Sequence, residues 1–128
     1  MASKLTELGI DCADPHRLAR FWCSVLDYEV QVEDDGLVTI GPPTVPLGRD
    51  CLDPVPPTLT FAQVPEGKTV KNRLHLDLNP TDREQDDEVR RLLDLGARRA
   101  DVGQGEKSWV VLADPEGNEF CVLAGRLP

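Results

Sequence analysis

From Leu5 to Cys12, apolar and polar residues alternate with a period of two. Leu8, Ile10 and Cys12 fall on one side and Glu7, Gly9 and Asp11 on the other, which predicts a strand. The period then lengthens. Leu18, Ala19, Phe21, Trp22, Val25 and Leu26 recur at three- and four-residue spacings and form one apolar helical stripe. Asp14-Pro15 provides an N-cap followed by a proline at the first helical position, and Asp27 closes the helix. Tyr28 to Val32 and Leu37 to Ile40 predict two short strands around the turn Asp34-Asp35-Gly36.

From Gly41 to Pro57 the pattern dissolves. Six of the chain's eleven prolines lie there, so an irregular loop is expected. Thr58 to Val64 reads as a strand, and Pro65-Glu66-Gly67-Lys68 breaks it. Arg73 to Leu78 alternates again, with Leu74, Leu76 and Leu78 on one face and His75 and Asp77 on the other. Thr81-Asp82-Arg83-Glu84 has the form of a capping box. Val89, Leu92, Leu93 and Leu95 supply the apolar face of the helix behind it, and Gly96 stops it. Arg98 to Val102, Trp109 to Ala113 and Phe120 to Ala124 predict three closing strands. Strand, helix and three strands thus occur twice, an internal duplication of architecture. Pairing the caps Asp14 and Asp82 sets Glu7 against His75, and Asp53-Pro54 pairs with Asp114-Pro115.

Composition narrows the partners. A chain of 128 residues, 40% hydrophobic and 29% charged, suits one globular domain that buries roughly two-thirds of its unfolded surface. Twenty-three acidic residues against fourteen basic ones leave a net charge of -9, which repels phosphate backbones and anionic lipid. Neither nucleic acid nor membrane is therefore expected as a partner. No apolar stretch approaches the ~20 residues that cross a bilayer, and MASKLTELGIDC has no apolar signal core, so a cytoplasmic location is expected. Cys12, Cys23, Cys51 and Cys121 show no C-x-x-C spacing and read as reduced thiols. There is no phosphate loop, nucleotide fingerprint or Ser-His-Asp candidate set.

Three stretches resemble the glyoxalase, bleomycin-resistance and extradiol-dioxygenase superfamily, the vicinal oxygen chelate proteins. They are Asp11-Cys12-Ala13-Asp14-Pro15 running into Leu18-Ala19-Arg20-Phe21-Trp22, Val64-Pro65-Glu66 through Lys71 to Leu78, and Asp114-Pro115-Glu116-Gly117-Asn118-Glu119-Phe120. The resemblance implies an α+β fold. Two strand-helix-three-strand (βαβββ) modules, about 4–64 and 72–125 of a single 1–128 domain, would form a curved mixed sheet around a cleft, with the helices outside.

It also implies metal-ligand positions on the first and last strands of each module. Those positions are Glu7 and His75 on the first strands, Cys121 on the last strand of the second module, and Thr60 or Ala62 in the first. Thr60 and Ala62 are not ligand types, and Cys121 stands where metal-binding relatives usually carry glutamate. Glu7, His75 and Cys121 would hold one divalent ion (zinc, nickel, manganese or iron) or none, and thiolate suits zinc best. Glu7 or His75 would double as a proton acceptor. Glu119 shares a strand face with Cys121, and Trp109 sits where an aromatic can stack on a ligand. Two functions follow from the resemblance. One is a metal-dependent lyase, isomerase or dioxygenase acting on a small molecule with vicinal oxygens. The other is a metal-free binder that sequesters a drug, as in the bleomycin-resistance branch, where the acidic surface would suit a cationic guest. Sheet edges left uncovered by the proline-rich loop lead to an expected homodimer.

Overall fold

The structure, a computed structural model, describes residues 2–43 and 56–127. It divides into two compact units, residues 1–67 and 68–128. Each has the element order strand, helix, strand, strand, strand.

In the first unit these are β1 (Glu7–Cys12), α1 (Pro15–Leu26), β2 (Glu29–Asp34), β3 (Leu37–Gly41) and β4 (Thr58–Gln63). The sheet order is β1-β4-β3-β2, with β1 parallel to β4 and the other pairs antiparallel. Asp14 caps α1 by accepting the Arg17 amide at 3.1 Å. Asp27 ends the helix in the left-handed region at φ 55°, a conformation that aspartate tolerates better than most residues. The apolar stripe of α1 packs on β3 and β4. Leu18, Ala19, Phe21 and Trp22 are buried, as are Val38, Ile40, Leu59 and Phe61 on those strands. Trp22 meets Phe21 edge to face at 5.2 Å. Most of the proline-rich loop, with Cys51 and the Asp53-Pro54 pair, lies outside the described residues.

The second unit runs β5 (Asp77–Leu78), α2 (Gln85–Leu95), β6 (Arg98–Arg99), β7 (Val110–Ala113) and β8 (Glu119–Val122). Its sheet order is β5-β8-β7-β6, with β5 parallel to β8. Three boundaries differ from expectation. The strand expected over Arg73 to Leu78 pairs only at its end. The parallel register sets Asp77 opposite Cys121, so Arg73 would face Gly117, inside the turn that Asp114 closes. Leu74 accordingly projects into solvent at 85% exposure instead of joining an apolar face.

Helix α2 begins at the N-cap Glu84, not at the Thr81 capping box, and has no side-chain cap bond. Asp82 is instead gripped by the neighbouring Arg83 guanidinium at 3.0 Å. Asp86, Asp87 and Glu88 supply the negative charge that favours a helix N-terminus. The strand expected over Arg98 to Val102 leaves its ladder after the Ala100 amide donates to Val111. Beyond that point Gln104 Oε1 accepts the Val102 amide and Asp101 Oδ1 accepts the Gly103 amide, so side chains replace the sheet partner.

Candidate functional site

The parallel pairing of β5 with β8 assembles a donor cluster. Cys121 lies directly opposite Asp77, and His75 precedes Asp77 by two residues. His75 Nδ1 is 2.9 Å from Asp77 Oδ1, and Cys121 Sγ is 3.9 Å from the same nitrogen. Because a carboxylate only accepts, Nδ1 carries the proton in this contact. One donor atom from each of the three residues lies within 4.8 Å of the others. His75 and Asp77 are exposed and Cys121 is buried. Burial pushes the Cys121 thiol up, and the charge and hydrogen bond of Asp77 push it further, against an opposing pull from the Lys71 ammonium. The raised pKa favours the thiol form, whose proton a bound cation would displace.

Imidazole, carboxylate and thiol form a donor set suited to zinc, whose ligands at ~2.0–2.3 Å stand roughly 3.5 Å apart around a tetrahedral ion. One ligand atom from each residue lies within 4.8 Å of the others, so the residues fit a divalent ion of borderline softness, which at Nδ1 would take the place of the proton shared with Asp77.

The cluster forms part of the wall of a cavity of about 340 Å³ within the second unit. Trp109, Val102, Val111 and Leu123 make the apolar side, and Lys71, Gln104 and Glu119 add polar groups. This is the usual composition of a small-molecule site. Trp109 is 39% exposed, high for so large an apolar ring.

Glu119 is buried and fully engaged. Its carboxylate meets Lys68 Nζ at 2.7 and 2.9 Å and accepts the Asn72 amide at 2.8 Å. Burial acts to raise its pKa. The Lys68 and Asn72 hydrogen bonds and the Lys68 charge outweigh that and hold it below the ordinary carboxylate value of 4.5. The strap of residues 68–72 is thereby clasped to β8, with Lys71 at the cavity wall. The turn before β8 is built on the fully buried Asp114. Its carboxylate accepts the Glu116 amide at 2.9 Å, the Asn118 amide at 3.0 Å and the Asn118 side chain at 3.2 Å.

Of the residues singled out from sequence, His75, Cys121, Trp109 and Glu119 line this one cavity. Glu7, Thr60 and Ala62 belong to the first unit. Glu7 is exposed on β1, Thr60 shares a hydroxyl hydrogen bond with Thr39 at 2.8 Å, and Ala62 pairs with Asp11. Asp77 and Lys71 were missed. Asp77 was findable, since residues two apart on a strand share a face and the alternation already set it beside His75. Lys71 lies in a segment with no periodicity to read.

A family model described as "Glyoxalase-like domain" matches residues 7–123. Solved structures share the fold. A glyoxalase/bleomycin resistance protein/dioxygenase family enzyme from Burkholderia phytofirmans PsJN aligns with a TM-score of 0.67 at 16% identity, covering 94% of this chain and 97% of its own. The fosfomycin resistance protein FosX from Listeria monocytogenes, solved with Mn(II) and sulfate, aligns with a TM-score of 0.68 at 15% identity, covering 98% and 92%. FosX from Mesorhizobium loti gives 0.65 at 16% identity, covering 98% and 94%. A search of curated proteins finds no significant match.

Proposed function

This chain belongs to the glyoxalase-like domain family, and on that premise we propose that it is a small-molecule protein whose second unit holds a divalent metal ion at His75, Asp77 and Cys121, beside the cavity that receives the ligand. The observation that carries this reading is the convergence of the three donors, within 4.8 Å of one another, on the wall of a largely apolar cavity. Zinc is the ion the thiol favours. When bound, such an ion polarises substrate oxygens as a Lewis acid, which is the chemistry of a lyase, isomerase or dioxygenase acting on vicinal oxygens. The chain's own groups would do the rest. His75 and Asp77 share the proton at Nδ1 until an ion displaces it, and Trp109, Val111 and Leu123 would exclude water from the apolar part of the ligand.

The test is zinc titration of tag-free protein against a chromophoric chelator. One equivalent is expected, and His75→Ala, Asp77→Ala and Cys121→Ser should each weaken binding at least about tenfold. Stoichiometric binding that survives all three substitutions, or no binding, rules the reading out. Glu7→Gln run alongside tests the further ligand implied by the family resemblance. An equal loss would add Glu7 to the set, and no loss would leave the three residues complete.

A second reading has one observation in its favour. The His75–Asp77 hydrogen bond at 2.9 Å already satisfies Nδ1 without a metal, as a metal-free binding protein of the bleomycin-resistance type would require. Ligand binding that is unchanged after chelation would select it.

A further inference from the structure

The charges around the cavity are unequally compensated, and that inequality specifies a ligand. Glu119 is neutralised by Lys68 at 2.7 Å. A divalent ion on the donor cluster would be neutralised by the Asp77 carboxylate and the Cys121 thiolate. Lys71 remains. Its ammonium donates to the Asn72 carbonyl at 3.1 Å, an uncharged acceptor, and among the described residues it pairs with no carboxylate. It lines the same cavity as His75, Asp77 and Cys121. The loaded cavity therefore carries one unmatched positive charge, and Trp109, Val102, Val111 and Leu123 supply its apolar lining.

We propose that the ligand is an apolar, ring-bearing monoanion whose charged group docks on Lys71 and whose body lies against Trp109. This rests on the metal reading given above and adds to it the ligand's charge and shape. The acidic surface of the chain, with its net charge of -9, does not reverse the choice. Long-range repulsion slows the encounter of an anion in a salt-dependent way, whereas the charge within the cavity decides which ligand stays bound. The clasp of Glu119 on the Lys68 ammonium and the Asn72 amide holds the backbone on both sides of Lys71, so less of that strap has to be ordered when the ligand arrives.

Calorimetric titration of the zinc-loaded full chain with naphthoate and with its neutral analogue naphthamide tests the proposal, with zinc content measured on the same samples. Naphthoate should bind at least about tenfold more tightly than the amide, since a charge-assisted hydrogen bond is lost in the amide. Lys71→Met should abolish that preference while zinc content stays at one equivalent, and Lys71→Arg should preserve it. Trp109→Ala should weaken both compounds alike. Equal affinities for acid and amide, no binding of naphthoate to zinc-loaded protein, or a preference that survives Lys71→Met would each overturn the proposal and leave the metal reading standing. Protein that takes up no zinc removes the metal reading and this inference with it.

Discussion

Replacing Glu119 removes a side chain that ties the 68–72 strap to β8, and the structure sets the size of the effect. Glu119→Ala deletes the acceptor of two donors, the Lys68 ammonium and the Asn72 amide. The Lys68 side chain retains 24% exposure and regains water when its partner leaves, so its share is small. The Asn72 amide is half-buried and loses a charged acceptor, which costs about 1–2 kcal/mol. A total of about 2 kcal/mol is expected for Glu119→Ala. Glu119→Gln keeps an oxygen for Asn72 and loses only the charge, so about 1 kcal/mol is expected. Acid performs the same change on the native residue. Because the folded state holds the Glu119 pKa below 4.5, its contribution is complete above that value and disappears as pH falls through the lowered one. Urea unfolding of metal-free protein, in chelator, should show the full gap between wild type and Glu119→Gln at neutral pH. The gap should close progressively below pH 4.5. Trypsin should cut at Lys68 and Lys71 faster in Glu119→Ala than in Glu119→Gln. A gap that is constant with pH, or a Gln variant as unstable as the Ala variant, would refute the assignment of these two bonds.

Two further outcomes are expected. Asp114→Ala removes the fully buried carboxylate that accepts the half-buried Glu116 and Asn118 amides and should cost about 2–3 kcal/mol in urea unfolding, whereas Asp114→Asn, which keeps one acceptor oxygen, should cost less. We also expect a homodimer, since Val70 at 74% and Leu74 at 85% exposure place apolar side chains on the surface of the second unit. Light scattering at micromolar concentration should give about 28 kDa, twice the 14.1 kDa chain mass, and a mass that stays at the monomer value would refute it.

Local chemistry made the first unit legible. Asp14-Pro15, the stripe from Leu18 to Leu26, Asp27 and the Asp35-Gly36 turn each dictate a backbone conformation through neighbouring atoms, and all stand within a residue or two of where the pattern put them. The second unit was harder to read because side chains from distant positions decide its boundaries. Glu119 captures the Asn72 amide from 47 residues away, and no pattern around Arg73 reveals it. Gln104 and Asp101 take over backbone donors that an alternating stretch would otherwise offer to a strand. In the site, His75 was legible from the resemblance and Asp77 from parity. Lys71 depends on the strap and was not legible at all.

The two ladders also explain why, among the described residues, the donor cluster forms in the second unit and not the first, although the architecture is duplicated. In the first, the last pair of the parallel ladder is Cys12 with Gln63, and the Val64 amide donates to the Cys12 carbonyl. In the second, it is Leu78 with Val122, and the Leu123 amide donates to the Leu78 carbonyl. Superposing these ends matches Asp77 with Asp11, Cys121 with Ala62 and His75 with Gly9. That register is two residues from the one that set Glu7 against His75. The shift preserves which face each residue occupies, but it replaces a glutamate with a glycine. The helix caps, Asp14 and Glu84, disagree with the Asp14–Asp82 pairing in the opposite direction, because the link from β5 to α2 is longer than the one from β1 to α1. A pairing through one expected cap residue therefore averaged over two different offsets. The same matching leaves the first unit with one donor, Asp11, where the second has three, and one carboxylate is too few to hold a divalent ion. Gly9→His with Ala62→Cys would rebuild the set there. Added Cβ atoms meet nothing within 4 Å at Gly9, so the variant should fold and gain a second equivalent of zinc. A protein that folds and still binds one equivalent would show that the ladder equivalence does not carry the donor geometry.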